Sequence, residues 1–481
     1  MNTHVVDTEW MENVTYEELS VGHSARLLRT VTLEDIQAFA AVSGDINPAH
    51  LNPEYADATM FHGVIAHGML GAALISALFG TQFPGPGTIY LGQELKFTKP
   101  VRIGDTLTVV ATVSEKDDEK KRVAMDCQVT NQKGEVVLKG VARLMPPTQK
   151  VRVPKVNAPQ IQLFDPEARF NELLSLADGL PAVRCAVVHP CDEGSLSGAL
   201  DSARHGLITP VLIGPEARIR AVAEAAGLDL KGIEILHVEH SHAAAALAAG
   251  MAARREVDVI MKGSLHTDEL IKAVLAEPAL RTGRRMSHVF RFDVPLYAKP
   301  LLITDAALNI RPSLQEKMDI VQNAIDFARV LGVAQPKVAL LSAVETVSPA
   351  IPSTLDAAAL CKMADRGQIR GGLLDGPLAF DNAISAQAAE IKQIVSPVAG
   401  QADILAVPDL ESGNMLAKQL EYLAGASGAG LVLGARVPIA LTSRADGPRV
   451  RVASALLAVL AAYDARRASA KPAAQAALTQ A

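Results

Sequence analysis

The chain has 481 residues, 49% of them hydrophobic, and a formal net charge of -6. That length predicts about three domains with well-filled cores and excludes disorder for the bulk of the chain. Acidic and basic residues are spread along both halves, which excludes a basic face for nucleic acid and a polybasic membrane patch and points to small molecules and further subunits as partners.

Cys127, Cys185, Cys191 and Cys361 are scattered without metal-ligand spacing. They read as reduced, mostly buried thiols. The first residues have no charged start followed by an apolar core, and no uninterrupted apolar run reaches membrane-spanning length, so a cytoplasmic protein is expected.

In chain order, Thr32-Leu-Glu-Asp35 fits a capping box opening a short helix, with Ile36, Phe39 and Ala40 at helical spacing. That helix leads into a loop entered through Gly44 and stiffened by Pro48, where Asp45 and His50 stand five residues apart. A carboxylate beside an imidazole suits acid–base work on water, since one group can take its proton while the other orients it. The alternative is an Asx-turn at Asp45 and a packed polar His50.

His67 to Phe79 is apolar nearly all round and bounded by Gly80, which predicts a buried helix with a sheet wrapped about it. His62 and His67 read as structural, His67 as a group that caps or orients the helix start. Alternating runs between residues 86 and 145, such as Leu107 to Val113 and Arg122 to Val129, predict an antiparallel sheet. Residues 148–164, with Pro154 and Pro159, read as an extended linker between an N-terminal domain of residues 1–147 and a C-terminal domain of residues 165–468. Residues 469–481 read as a flexible tail.

From about residue 165, short apolar strands alternate with helices. Examples are Cys185 to His189, Val211 to Gly214, Val257 to Met261, Leu301 to Thr304 and Leu431 to Gly434. The alternation predicts parallel sheets covered by helices on both faces, with ligands beyond the carboxyl ends of strands.

Ser43-Gly-Asp-Ile-Asn-Pro-Ala-His50, followed by Phe61-His-Gly-Val-Ile-Ala-His-Gly-Met-Leu70 and Tyr90 to Asp105, resembles the MaoC-like, (R)-specific enoyl-CoA hydratase family over residues 15 to 147. The resemblance implies an α+β hot-dog fold. It also implies that Asp45 and His50 activate water for addition to C3 of a short-chain trans-2-enoyl-CoA, that Gly68 supplies the oxyanion donor, and that Ser76 lies near the substrate. A first helical turn leaves N–H groups free for such a role.

Four further runs are Lys262-Gly-Ser-Leu-His-Thr-Asp268, Gly372 to Asp381, Pro408-Asp-Leu-Glu-Ser-Gly-Asn414 and Pro438 to Asp446. In that order they resemble the phosphate acetyltransferase/phosphate butyryltransferase family over residues 165 to 468. The resemblance implies an α/β two-subdomain phosphate acyltransferase fold that moves an acyl group between CoA and inorganic phosphate. It places Ser443 at the CoA thiol and Arg444 at the phosphate. Gly263, Ser264 and Thr267 could cradle phosphate through a backbone nest and hydroxyls. Lys272 stands at a family arginine position. Val450 stands where acetyltransferases carry an Asp, and Asp446 is the nearest carboxylate.

The expectation is a bifunctional enzyme on acyl-CoA, enoyl-CoA and phosphate, without metal or cofactor, and a homo-oligomer through both domains. Two alternatives stand beside it: a transferase-like domain that only senses acyl-CoA or builds the oligomer, and an N-terminal thioesterase.

Overall fold

The computed structural model describes the backbone of residues 10–156, 164–443 and 446–479, with side chains through Arg467. It divides into two compact units, Met1–Leu163 and Phe164–Ala481. No described helix is long and apolar enough to cross a membrane.

In the first unit, β1 (Trp10–Glu12) is followed by β2 (Ser24–Thr30), β3 (Ile89–Phe97), β4 (Thr106–Asp117), β5 (Arg122–Thr130), β6 (Val136–Met145) and β7 (Arg152–Pro154). Strands β2 to β6 form an antiparallel sheet in the order β2-β4-β5-β6-β3. Strand β4 buries Leu107, Val109, Ala111 and Val113 on one face, the period-two pattern of a half-buried strand. Those residues share a core with Ile75, Leu78 and Phe79 of the Gly68–Thr81 helix.

That helix is not buried all round, as its composition led us to expect. Gly71, Ile75, Leu78 and Phe79 face the sheet, while Met69, Ala73, Ser76 and Ala77 are exposed. A helix lying on one face of an open sheet covers only one side of its circumference, so the rest of its apolar surface stays outside. Residues 152–154 also differ from the expected linker: β7 pairs antiparallel with β1, from Trp10↔Pro154 to Glu12↔Arg152. Pro154 is tolerated because it ends a two-stranded ribbon, where no ladder donor is required. Residues 157–163 of the linker lie outside the described residues.

The second unit contains β8 (Val183–Val188), β9 (Ile208–Gly214), β10 (Glu234–His237), β11 (Val259–Lys262), β12 (Ser287–Asp293), β13 (Leu301–Thr304), β14 (Lys337–Leu341), β15 (Leu373–Leu378), β16 (Ile404–Ala406), β17 (Ser427–Leu433) and β18 (Ile439–Ala440). They make one sheet, β10-β9-β8-β11-β18-β17-β12-β13-β16-β14-β15. The all-parallel expectation is corrected at its centre, where β17 runs antiparallel to both β18 and β12, and β12 antiparallel to β13. Three reversals leave the β13-β16-β14-β15 block antiparallel to the β10-β9-β8-β11-β18 block. The carboxyl ends of the two blocks therefore point in opposite directions, and the four sequence landmarks are sorted into two groups.

Helices cover both faces of this sheet, and the helix beginning at Pro448 contributes Val452, Leu456 and Leu457 to the core. Its backbone remains helical to Thr479, through most of the segment read from sequence as a flexible tail. Alanine, abundant in that segment, is the residue with the highest helix propensity.

Candidate active sites

In the first unit the loop residues are placed by local hydrogen bonds. Thr32 caps the Leu33–Ser43 helix, accepting from the Asp35 N–H at 3.2 Å, while Asp35 accepts the Thr32 N–H at 3.0 Å. The helix ends at Gly44 with φ 75°, a left-handed conformation that glycine adopts without strain. Asp45 Oδ1 then accepts the Asn47 N–H at 3.3 Å, and Asn47 Oδ1 accepts the Ala49 N–H at 3.0 Å. The Asx-turn read as an alternative is therefore present, and it occupies one oxygen of an exposed carboxylate that has a second.

His50 Nδ1 lies 2.8 Å from the carbonyl oxygen of Ile65. A carbonyl only accepts, so Nδ1 carries the proton and Nε2 of the neutral ring keeps its lone pair. His67 Nε2 lies 2.9 Å from the Asp45 carbonyl, and the His50 and His67 rings stack with centroids 3.9 Å apart. One donor atom from each of Asp45, His50 and His67 falls within 4.8 Å of the others.

A cavity of about 390 Å³ opens beside this group, lined by His50, His67 and Gly68 and by apolar residues including Phe61, Leu70, Val101 and Leu138. Gly68 is the first residue of its helix, where backbone N–H groups lack helical partners. A Cβ there would stand 3.0 Å from the Phe97 ring, so the side-chain space is already filled. Ser76 is exposed on the helix and is not among the residues that line the cavity. His67 is the residue that sequence reasoning undervalued. Its place before a buried helix pointed to a cap, yet its ring makes no capping bond and turns to the Asp45 loop.

In the second unit, β11 and β18 are neighbours, so the segment that opens at Lys262 leaves the sheet beside Thr442. Buried Lys262 donates from Nζ to the Thr442 carbonyl at 3.2 Å. The Gly263 N–H donates to Val188 O at 2.9 Å and the Ser264 N–H to His189 O at 2.8 Å. This corrects the expected nest, because two of its donors are already committed within the fold. Gly263 is required by a close approach, since a Cβ there would stand 2.4 Å from Val188 O. The Thr267–Ala276 helix starts beyond that loop, with the Thr267 hydroxyl at its first position and Asp268 and Glu269 in its first turn; a helix start has N–H groups that can meet an anion.

Lys272 is exposed and paired with Asp268 at 3.0 Å, one turn away on the same helix. It is held by a surface ion pair. Asp446 Oδ2 accepts the Ser443 N–H at 2.6 Å, so that carboxylate folds the loop. Burial pushes the Asp446 carboxyl up from its usual range, with Glu421 adding to the effect, against the opposing Ser443 N–H and the charges of Lys418 and Arg451. Arg444 lies outside the described residues.

Arg451 was missed by sequence reasoning, having no motif of its own. Almost wholly buried, it donates from Nε to Asp446 O at 3.1 Å, from Nη1 to Thr442 Oγ1 at 3.0 Å and from Nη2 to Ser443 O at 3.0 Å. Its stem fills space that a Cβ on Gly198 would enter at 2.7 Å. Asp192 caps the Glu193–Arg204 helix nearby; burial raises its carboxyl, but the Ser195 N–H, the Ser264 hydroxyl and the Arg451 charge outweigh that and leave it below the usual range. Val450 lines a cavity of about 70 Å³ together with the buried Arg291–Asp293 ion pair at 2.5 Å.

The other two landmarks belong to the opposite strand ends. Asp409 caps the Leu410–Tyr422 helix, Asn414 donates to Ala306 O at 3.1 Å, and a Cβ on Gly413 would meet Asp305 O at 2.8 Å. Run 372–381 contains β15 itself.

Residues 20–134 match the MaoC like domain, and residues 239–459 match the phosphate acetyl/butaryl transferase family. The chain is 58% identical over 308 residues to a phosphate acetyltransferase of Rhizobium meliloti, an alignment spanning 64% of this chain and 97% of the relative. It is 39% identical over 294 residues to a phosphate butyryltransferase of Clostridium acetobutylicum, spanning 61% of this chain and 98% of the relative. Among solved structures, a branched-chain phosphotransacylase from Enterococcus faecalis V583 is similar with a TM-score of 0.52 and 28% identity, over 58% of this chain and 99% of that one.

Proposed function

The chain belongs to the phosphate acetyl/butyryltransferase family and carries a MaoC-like domain ahead of that region, and from this premise we propose that it is a bifunctional acyl-CoA enzyme. Its N-terminal unit hydrates a short-chain trans-2-enoyl-CoA with (R) stereochemistry. Its C-terminal unit exchanges an acyl group between CoA and inorganic phosphate.

The observation that carries the hydration reading is the bare Nε2 of His50, fixed by the Nδ1 bond to Ile65 O: the ring lines an apolar cavity and has the Asp45 carboxylate beside it. In the reaction, water adds through oxygen to C3 of the enoyl group. His50 takes a proton from that water while Asp45 orients it, and one proton is delivered to C2, so a whole water molecule enters the product. Negative charge developing on the thioester oxygen is met by the free N–H groups at Gly68. Loss of enoyl absorbance with crotonyl-CoA, followed by chiral analysis of the 3-hydroxyacyl product, tests this. Thioester hydrolysis without hydration, or activity retained after Asp45→Asn, would favour a thioesterase instead.

For the transferase, phosphate oxygen attacks the thioester carbon and the CoA thiolate leaves, the reverse reaction using acyl phosphate. Ser443 serves the thiol, and Arg444 with the Thr267 helix start holds phosphate. Close identity to an acetyltransferase and more distant identity to a butyryltransferase make acetyl-CoA and butyryl-CoA the substrates to compare. Phosphate-dependent release of CoA is the assay. Acyl-CoA binding without turnover would favour the sensor reading, to which Val450 and the ion-paired Lys272 lend their weight.

We also propose a cytoplasmic homo-oligomer. Edge strand β3 exposes Ile89, Tyr90 and Leu91 by 50%, 38% and 44%, an unpaired apolar edge that a second copy would cover. Light scattering that gives a monomer mass would overturn the assembly.

A further inference from the structure

We propose that His67 is a positioning residue for hydration, which locks the Asp45 backbone against His50 and so aims both groups at one water molecule; this rests on the hydration reading above. Asp45 O can only accept, so the 2.9 Å contact fixes the proton of the neutral His67 ring on Nε2. Nδ1 is then an acceptor, and it is buried without a hydrogen-bond partner among the described residues. A side chain kept for packing alone would be better apolar, since burying an unpaired polar atom is unfavourable. The ring is only 3% exposed, packed between Phe39 at 5.0 Å and His50 at 3.9 Å between centroids.

The lock has two surfaces. Its N–H holds the carbonyl of Asp45, in a loop otherwise restrained by the Ser43 hydroxyl, the Asx-turn and the Ile46 N–H bond to Gly44 O. Its ring face sets the plane of His50, whose other restraint is the Ile65 carbonyl. His67 immediately precedes Gly68, so one short segment holds the acid–base pair and presents the oxyanion donor. A shift in any of them would be felt in the transition state rather than in binding of the acyl chain, because the remainder of the cavity is built by other residues.

The test uses the full chain with two substitutions. His67→Phe keeps a ring but removes the donor; His67→Gln keeps an N–H that can reach Asp45 O. With crotonyl-CoA, kcat is expected to fall by about 10- to 100-fold in His67→Phe with KM within about threefold, and to recover in His67→Gln to within about threefold of the unaltered protein. Equal kcat in all three proteins overturns the role, as does equal loss in both variants. If His67→Phe fails to fold, loss of kcat in a folded His67→Gln overturns it. Absence of hydration by the unaltered protein overturns the hydration reading itself and the role with it, whereas hydration that His67→Phe leaves intact removes the role alone.

Discussion

At the scale of the residue, Asp45 and His50 each commit one side-chain atom to the fold, and the proposed chemistry falls to the other. Asp45 uses Oδ1 for its turn, and His50 uses Nδ1 for the Ile65 carbonyl, each leaving one atom for water. Asp45→Asn and His50→Gln are therefore expected to lower kcat/KM for crotonyl-CoA hydration by at least about 100-fold while both variants stay folded, as spectrophotometric assay and thermal unfolding would read. Arg451 is a different case, acting through the Ser443 loop by three hydrogen bonds. Lysine keeps the charge but not the planar fork, so Arg451→Lys should lower phosphate-dependent CoA release by roughly tenfold and leave hydration unchanged. The pair Asp45/His50 was legible in sequence because both residues sit in one short loop. Arg451 was not, since its partners are one hydroxyl and two backbone carbonyls, on Thr442, Ser443 and Asp446, which no sequence motif marks.

At the scale of the element, glycine positions separate close approach from ordinary packing. Gly263 ends a strand so near β8 that a Cβ would stand 2.4 Å from Val188 O and 2.8 Å from His189 O, whereas at Gly71 it would meet Leu138 Cδ1 at 3.6 Å. Gly263→Ala should cost about 2–4 kcal/mol in denaturant unfolding, because backbone on both sides would have to move. Gly71→Ala should be neutral or stabilising by up to about 1 kcal/mol, through higher helix propensity at a site with room. The capping box at Thr32 and the β4 alternation were readable from sequence because their determinants are local. β12, β15 and β18 escaped that reading: β12 carries His288, Arg291 and Asp293 in a buried strand, and β18 is two residues long.

At the scale of the molecule, burial sets the acid response of the second unit. His288 is wholly buried, and burial pushes its imidazole down to about 4, with the Asp305 charge opposing. The folded chain thus keeps His288 neutral at pH values where the unfolded chain, near 6.5, binds a proton. The stability this provides is complete above about pH 6.5 and is lost as pH falls toward 4, an effect on the order of 3 kcal/mol. Urea unfolding of the second unit between pH 7 and 4 should show that loss, and His288→Leu should flatten it. The two activities should also be separable: Asp45→Asn is expected to leave phosphate-dependent CoA release within about twofold of the unaltered protein, since each site is built from residues of its own unit and independent sites act additively.

By itself the sequence determined the Asp45–His50 loop, the two domain types and the order of strands and helices in most of the chain, because each depends on residues within a few positions of one another. Tertiary structure alone decided which landmarks meet. Reversal at β12 and β17 sends Pro408–Asn414 to one set of strand ends and Lys262–Asp268 with Pro438–Asp446 to the other. It also decided that the donors of Gly263 and Ser264 are consumed by neighbouring carbonyls, that one side of the Gly68–Thr81 helix stays exposed, and that His67 joins Asp45 and His50. The physical reason is common to all four. A hydrogen-bond donor or an apolar face is a local property of the residue, but its partner is set by strand direction and packing across long sequence separations, which no local pattern records.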